Sequence, residues 1–321
     1  YMASPLFSED SEDKWKQAAE AAYDIIKQKT DLGLDLVPYP QIFNDVNNQK
    51  AEVILYRPTG ESGDFEKANF PIGVEGGKTS TCPTQNLMEA YDMKDGTPFV
   101  WNNQSNPYDN RDPRMKYTIV CNEMKWPVDP VEIWEGGTNG LPLQNATTTG
   151  YYLKKYVNNT ISFEAGSTVT KKQHNWVLFR YGEILLNYAE AMINAFHDPN
   201  YKDAVYNMSA REAVNQIRGR TNISLPGFPS DITEKDFVKR LKNERRVELA
   251  FEGHRFWDVR RWKELGQTAN IYGVKITKNN EVISYEKFLL ETRAVTDNMY
   301  FYPIPNTERF KNPNLGQNPG W

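Results

Sequence analysis

Three glutamates whose spacing could support acid–base chemistry stand late in the chain, at Glu244, Glu248 and Glu252. Their regular steps would place them on one face of a helix. Further charged residues close to them are Arg245, Arg255, Asp258 and Arg261. A glycoside hydrolase uses two carboxylates, one with a raised pKa as the acid and one that is ionised. Hydrolysis of a glycosidic bond is therefore one chemistry that this segment could perform.

The same charged residues also fit a structural function. Guanidinium groups bind carboxylates through paired hydrogen bonds, and such pairs can tie the ends of helices to loops. Carboxylates surrounded by so many arginines have lowered pKa values and make poor general acids. The composition of the segment therefore favours a network of ion pairs over a catalytic pair.

A second charged segment, RDPR at residues 111–114, has two interpretations. Its arginines could bind an anionic sugar. However, an aspartate before a proline is typical of a turn, here held by its own charges. We favour the turn.

No other catalytic or metal-binding pattern stands out in the sequence. His174, His197 and His254 lack the spacing of metal ligands. Cys82 and Cys121 form no Cys-x-x-Cys motif, and a disulfide and two free thiols both remain possible. No glycine-rich phosphate loop or nucleophile elbow is present. We therefore expect neither cofactor nor metal nor enzymatic activity.

The aromatic residues of the middle region are the best candidates for a binding function. They lie among Pro, Asn and Gly and follow no helical period. They are Trp101, Tyr108, Trp126, Trp134, Tyr151 and Tyr152. An exposed ring can stack on the apolar face of a pyranose, at about 1 kcal/mol per stack beyond area burial, which gives roughly millimolar to micromolar binding. Polar neighbours that could bond the sugar hydroxyls are Asn102, Asn103, Gln104, Asn106 and Asp129.

These rings also have a structural alternative, because they could form a small core inside the loops. The remaining tryptophans lie on helical stripes or in the charged segment, and we interpret them as core residues. They are Trp15, Trp176, Trp257 and Trp262.

The overall charge and hydropathy exclude some classes of partner. A net charge of -4 and a pI near 5.6 argue against a nucleic-acid-binding protein, which needs a basic surface. The chain has no apolar run of about 18 residues, the length that a membrane-spanning helix requires. Its opening residues, YMASPL, resemble the end of a helix that runs into a proline turn. We therefore expect the chain to be a fragment whose beginning is missing.

Helical periodicity is confined to two parts of the chain. The sequence predicts one helix over 12–29 and a helical region over 176–265, with helices ending near Phe196, Gly219 and Phe251 and a short one at 255–264. Between them, residues 31–175 are rich in Pro, Gly and Asn, with a strand at 53–56 and a short helix at 84–92. Residues 266–321 are expected to be a loop-rich tail.

The charged segment and several others together resemble the SusD/RagB family, named for a starch-utilisation protein. Residues 243–262, NERRVELAFEGHRFWDVRRW, resemble that family's late motif E-R-x-x-E-L-x-x-E-G-x-R-x-x-D-x-x-R-W. Further similar segments follow the family's order at 91–96, 111–114, 179–191, 215–220, 302–305 and 317–321. The resemblance spans essentially the whole chain. The sequence differs from the family pattern at its N-terminal end, where family members have a lipoprotein signal, an anchoring Cys and further helical hairpins.

The resemblance implies a fold and a function. The fold would be a single mostly α domain, truncated at its N terminus. In it, tetratricopeptide-like helical hairpins would back the loop-rich ligand face at 31–175. Residues 1–30 would supply one helix of a hairpin, and residues 176–265 would form further hairpins. Such proteins are outer-membrane lipoproteins of Bacteroidetes that hold glycan for a SusC-like, TonB-dependent transporter. The membrane contact would be made only through the missing lipid anchor, and the partners would be the glycan and the transporter.

Two rival hypotheses remain. The chain could be a helical glycoside hydrolase that uses carboxylates of the loop region. It could also be a protein-interaction scaffold that binds no sugar. The sequence does not identify the sugar or its linkage.

Overall fold

The computed structural model describes residues 1–7, 11–102, 106–164 and 170–321. Helices dominate this part of the chain, which confirms the predicted mostly α fold. The helices are α1 (Ser11–Lys27), α2 (Asp64–Asn69), α3 (Gln85–Met88), α4 (Pro113–Thr118), α5 (Tyr181–Phe196), α6 (Ala210–Arg218), α7 (Glu234–Glu248), α8 (Arg255–Arg261) and α9 (Asn306–Lys311). The strands are β1 (Val53–Pro58), β2 (Ile119–Val120), β3 (Tyr152–Leu153), β4 (Asn175–Arg180), β5 (Asn270–Asn279) and β6 (Val282–Thr292).

The helical core is built around α5, which packs against α1, α6 and α7. The α5 sequence is apolar on most of its faces, so nearly the whole helix can be buried. Small side chains at Ala19 and Ala22 of α1 and at Ala189 of α5 are buried in this core and allow the helix backbones to approach closely. The core therefore depends on small residues as much as on large ones.

The helices α3, α6 and α7 begin after a capping residue whose side-chain oxygen accepts a backbone hydrogen bond of the first turn. Ser209 accepts a hydrogen bond from the backbone N–H of Glu212, whose side chain returns a bond to Ser209, so α6 begins with a full capping box. Thr84 and Thr233 cap α3 and α7 through their hydroxyl oxygens.

Two predicted helix boundaries are wrong. The helix assigned from residue 176 begins at Tyr181, because Asn175–Arg180 forms β4 and pairs antiparallel with β1. A short apolar run such as this one fits either a strand or a helix, and pairing with β1 decides it. At the other end, α7 stops at Glu248, and Phe251 has a positive φ of 61° that no α-helix accommodates.

The predicted loop-rich tail contains a long β-hairpin. β5 and β6 pair in antiparallel register from Asn270 to Thr292, so the prediction is wrong for this stretch. The two-residue turn is Asn280–Glu281, and both residues have positive φ, as a type I′ turn requires. Because Glu is not a usual residue in that turn, the sequence lacks the Asn-Gly or Asp-Gly signal that normally reveals a hairpin.

The loop-rich middle region has a core of its own. The hairpin contributes Val274, Ile276 and Tyr285 to it, beside Met88 and Tyr91 from the α3 region. A hydrophobic centre of this kind gives the loops a fixed geometry. The loops can therefore position side chains on the surface that they share.

The tryptophans assigned to the core have different environments. Trp15 and Trp262 are buried, and Trp176 is half-buried against an aromatic cluster. Trp257 is 49% exposed, so its assignment to the core is wrong. It packs on the surface against the rings of Phe256 and Tyr302.

Both cysteines, Cys82 and Cys121, are free thiols. Among the described residues, none of the helices is both long enough and apolar enough to traverse a bilayer.

The central position of α5 leads to a stability prediction. Leu185 is completely buried in the helical core. We expect Leu185→Ala to lower the free energy of unfolding by about 2–5 kcal/mol, because it leaves a cavity that the packed helices cannot fill. Urea denaturation followed by circular dichroism measures the change. Leu289→Ala, at a half-exposed position of β6, serves as the control and should have little effect; equal losses in both variants would contradict this account of the core.

Candidate ligand-binding site

Glu248 is the centre of a buried network of ion pairs. One of its carboxylate oxygens accepts hydrogen bonds from Arg180 and Arg220, both at 2.8 Å. The other accepts a bond from Arg114, also at 2.8 Å. All four side chains are almost completely inaccessible to solvent. The carboxylate is therefore saturated by cations from separate parts of the chain.

The other two glutamates of the series extend this network. Glu244 binds Arg114 and Arg218, and Glu252 binds Arg180 and Lys155. The predicted structural role of the three glutamates agrees with this geometry. Their partners, however, come from α4, the end of β4 and α6, and from the loop after β3, rather than from the adjacent arginines in sequence.

The nearby charged residues form a second cluster. Arg245 binds Asp258 at 2.9 Å, and Arg261 binds both Asp258 and Glu190. Glu190 also accepts a bond from the indole N–H of Trp262 at 2.6 Å. This cluster fastens α8 to α5.

The electrostatics of the network around Glu248 oppose acid catalysis. Burial alone would raise the pKa of Glu248, but the charges of Arg220, Arg180 and Arg114 outweigh burial and hold that pKa well below its ordinary value. The pKa values of Glu244 and Glu252 are lowered by the same balance of burial and neighbouring cations. A general acid needs a raised pKa, so these glutamates are unsuited to that task.

The RDPR segment belongs to the same network. Asp112 caps α4 by accepting the backbone N–H of Arg114, and it also pairs with the Arg114 side chain at 2.7 Å. The guanidinium of Arg111 donates to the backbone carbonyls of Pro107, Met88 and Tyr91. The segment is therefore a helix cap and a buried anchor, and its buried arginines are not available to bind a sugar.

Two of the predicted ligand-binding aromatics are core residues. Tyr151 and Tyr152 have no exposed surface. The hydroxyl of Tyr151 donates to Gln85 at 2.6 Å, and that of Tyr152 donates to the carbonyl of Asn139. A fully buried ring cannot stack on a sugar, so their assignment to the ligand is wrong.

Three other predicted aromatics are half-buried at separate places. Tyr108 packs edge-to-face against Tyr151 and Tyr285, which makes it part of the loop core. The ammonium of Lys278 lies 4.7 Å from the centre of the Trp134 ring. Trp101 packs edge-to-face against Phe99. Of the predicted polar neighbours of Trp101, Asn102 and Asn106 are exposed, whereas Asn103 and Gln104 lie outside the described residues. These rings do not converge on one groove.

A cleft of about 360 Å³ opens beside the sixth predicted ring, Trp126. We call it the aromatic–amide cleft and define it by three rings and three amides. These residues are Tyr117, Trp126, Tyr156, Asn44, Asn158 and Asn159. Of the seven predicted site residues, all of which the structure describes, Trp126 alone lines this cleft. Asp129 is exposed, and its carbonyl accepts the backbone N–H of Trp126.

The rings of the cleft differ in accessibility. Trp126 is 7% exposed, and the ammonium of Lys154 lies 4.9 Å from the centre of its ring. Tyr117 is only half-buried, on the α4 helix that Arg114 anchors to the buried network. Tyr117 is therefore the better placed of the two for stacking on a ligand, and Trp126 supports the wall.

The amides of the cleft are held in a fixed loop. Glu66 of α2 accepts the backbone N–H of Asn158 at 2.9 Å and also pairs with His174 at 3.0 Å. The side-chain oxygen of Asn158 accepts hydrogen bonds from the backbone N–H and the hydroxyl of Thr160. The two N–H groups of the Asn158 side-chain amide therefore stay available to a ligand. In the part of the chain that the structure describes, the exposed Asn159 side chain makes no hydrogen bond.

The chemistry of this cleft suits a neutral polyol. Rings provide an apolar face and amides provide donors and acceptors for hydroxyl groups. Among the described lining residues Asp45 is the single carboxylate, and it pairs with Lys172 at 3.1 Å. Two further lysines line the cleft: Lys155 is paired with Glu252, and Lys154 lies over the ring of Trp126. Glycoside hydrolysis normally requires two carboxyl groups across the scissile bond, and this cleft does not provide them.

Sequence reasoning missed Tyr117 and the three asparagines because no hydrophobic period marks them. The Asn158-Asn159-Thr160 tripeptide has the pattern of a glycosylation acceptor, which does not indicate a binding cleft.

Comparison with known proteins identifies relatives of this chain. A sequence model of the SusD family matches residues 41–321. A SusD-like protein of Formosa agariphila, called P2, is 29% identical over 163 residues, which are 49% of this chain and 28% of that protein. Two solved structures from Bacteroides fragilis, a SusD-like protein and a SusD-like carbohydrate-binding protein, are each 25% identical with a TM-score of 0.75. They cover 95% and 94% of this chain, respectively.

The chain is shorter than these relatives. It spans 63% and 61% of the two solved structures and about a quarter of the curated proteins that it matches.

The saturation of Glu248 predicts a large loss of stability when its charge is removed. We expect Glu248→Gln to lower the free energy of unfolding by about 3–5 kcal/mol, because three guanidinium groups would remain buried without their shared anion. Urea denaturation measures this difference. The matched control is Glu281→Gln, which removes an exposed carboxylate paired with Lys278 and should leave stability unchanged. Similar stabilities of the two variants would contradict a structural role for Glu248.

Glu190 predicts a dependence of stability on pH. Burial opposes ionisation of this carboxyl, but Arg261 and Trp262 lower its pKa from 4.5 to about 2. The ionised Glu190 therefore adds its full contribution to the free energy of unfolding above pH 4.5, and this contribution is lost as the pH falls towards 2. In Glu190→Gln, we expect a lower melting temperature at neutral pH and a weaker decline across that acid range. An unchanged decline would show that Glu190 does not contribute to it.

Proposed function

The chain belongs to the SusD family, and we propose that it is a glycan-binding protein without catalytic activity of its own. The observation that carries this proposal is the aromatic–amide cleft, in which a half-exposed ring stands beside amides that have free donors. The relative from Bacteroides fragilis that is described as carbohydrate-binding supports the same class of ligand. The proposed ligand is a neutral segment of an oligosaccharide or polysaccharide.

Binding by such a site would be weak for a single sugar. A cleft of about 360 Å³ accommodates a short segment of a glycan. Stacking on Tyr117 and several hydrogen bonds to amides would add to roughly millimolar to micromolar affinity. This range suits a protein that must release its ligand to a transporter.

The hydrolase hypothesis has less support. That hypothesis uses carboxylates of the loop region, and the aromatic–amide cleft has a single one, Asp45, among its described lining residues. The glutamates Glu244, Glu248 and Glu252, whose spacing first suggested hydrolysis, are buried, ionised and bound by guanidinium groups. A substrate could reach them only after the network had opened, at a cost of several kcal/mol. The carboxylates that suggested catalysis therefore support a structural function instead.

The cellular setting is part of the proposal and rests on family membership. We propose that the whole protein is an outer-membrane lipoprotein at the cell surface of a member of the Bacteroidetes. There it would pass glycan to a SusC-like, TonB-dependent transporter, with no direct contact between this chain and the bilayer.

Affinity gel electrophoresis against a panel of neutral polysaccharides tests the binding proposal. We expect at least one polysaccharide to retard the chain. Retardation should be reduced about tenfold in Tyr117→Ala, because the stacking surface is lost, and in the double variant Asn158→Ala/Asn159→Ala, because hydroxyl partners are lost.

The matched control is Phe310→Ala, which removes a ring that is 85% exposed and lies outside the cleft. Equal retardation of Tyr117→Ala and Phe310→Ala would reject the cleft as the site. Absence of retardation by every polysaccharide would favour the interaction-scaffold hypothesis. Hydrolysis of a retarding polysaccharide by the purified chain would overturn the non-catalytic assignment.

A further inference from the structure

A second cleft, of about 470 Å³, lies along the surface of α7, next to α8 and the loop that follows α3. Six cationic side chains and three carboxylates line it. We call it the basic cleft and define it by its cations, which are Lys235, Lys239, Arg240, Lys242, Arg246 and Arg255. Such a concentration of cations contrasts with the net charge of -4 of the whole chain.

The three carboxylates of the basic cleft already have cationic partners. Glu264 pairs with Lys242 at 2.5 Å. Asp92 pairs with Arg218 at 3.3 Å and lies 3.7 Å from Arg240, and Glu89 pairs with Lys287 at 2.8 Å. Each of these anions is therefore engaged by another cation, and Glu89 and Glu264 act on Arg246 and Arg255, respectively, only at longer range.

Four cations of the cleft lack an anionic partner within the described residues. They are Lys235, Lys239, Arg246 and Arg255. Arg246 donates to the backbone carbonyl of Asn86 and Arg255 donates to the amide oxygen of Gln267, both at 2.8 Å. A guanidinium has five N–H donors, so each retains several for a ligand.

The two arginines also repel each other. Burial lowers the pKa of Arg246 to about 10, and the charge of Arg255 adds to the effect. Arg246 is thus fully charged at neutral pH, although no described carboxylate forms an ion pair with it and Glu89 favours its charge only from a distance. An anion placed between the two groups would relieve their repulsion and gain charge-assisted hydrogen bonds.

We propose that the basic cleft binds the acidic groups of an anionic glycan, either sugar carboxylates or sulfate esters. The inference rests on the proposed function, because it takes the ligand to be a glycan. The cleft is larger than a single inorganic anion needs, and Pro98 and Phe99 give it apolar surface against which a sugar ring can pack. The chain would therefore have two sites of different chemistry, one for neutral and one for acidic segments of a glycan.

Matched glycans that differ only in charge test this inference. Isothermal titration calorimetry would compare hexagalacturonate with its methyl ester, and dextran sulfate with dextran. We expect at least one acidic form to bind about tenfold or more tightly than its neutral counterpart, with affinity that falls as salt is added. The first pair reports on carboxylates and the second on sulfate esters, so the comparison also identifies the preferred group.

Variants locate the binding. Arg246→Gln/Arg255→Gln should reduce affinity for the acidic form at least tenfold, and the exposed pair Lys235→Gln/Lys239→Gln should reduce it by a smaller factor without any risk to folding. The control is Arg57→Gln, an exposed arginine of β1 that lies outside the cleft. Circular dichroism melting verifies that each variant is folded.

The outcomes separate this inference from the proposed function. If neutral polysaccharides retard the chain but acidic forms bind no more tightly than their neutral counterparts, the inference is wrong and the proposed function stands. Acidic binding that is weakened equally by Arg57→Gln and by both cleft variants also overturns the inference. If no glycan of either kind binds, both proposals fail.

Discussion

The sharing of Glu248 by three arginines is the interaction on which the rest of the structure depends. Arg114, Arg180 and Arg220 come from α4, the end of β4 and the segment after α6, and they meet at this one carboxylate. Desolvating so many charges is costly, and only near-complete pairing offsets that cost. The network therefore forms as a unit, and it joins the helical core to the loop-rich region at a single geometry.

This constraint extends to the surface through short connections. Tyr117 lies on the same short helix as Arg114, so the ring of the aromatic–amide cleft is positioned by the buried network. Lys155 binds Glu252 and lies next to Lys154 and Tyr156, which line that cleft. Glu66 provides a second tie by holding the Asn158 loop and His174. The loop-rich face is consequently preorganised, which lowers the entropic cost of binding a flexible glycan.

The two clefts differ in the groups that they offer to a ligand. The first is lined by neutral amides, a half-buried tyrosine and lysines that are paired with carboxylates or lie over an aromatic ring. The second contains several cations whose nearby carboxylates are already paired with other cations. In the central network every cation meets an anion, and in the basic cleft several do not. Arginine thus has a structural function where carboxylates surround it, and it is available to ligands where no carboxylate pairs with it. Number and position of carboxylates, rather than the arginines themselves, decide between these functions.

The sequence by itself determined the features that depend on neighbouring residues. Helix periodicity located α1, α5, α6 and α7, although α5 begins later and α7 ends earlier than predicted. The spacing of Glu244, Glu248 and Glu252 indicated a charged network. Features that depend on distant pairing were decided only by the tertiary structure. β4 is a strand because β1 lies beside it, and the β5–β6 hairpin has a turn without the usual glycine. Tyr151 and Tyr152 resembled ligand residues because their neighbours are polar, yet the folded loops bury both rings. Burial is a property of how separate segments pack, so a local pattern cannot distinguish an aromatic in a loop core from one on an open face.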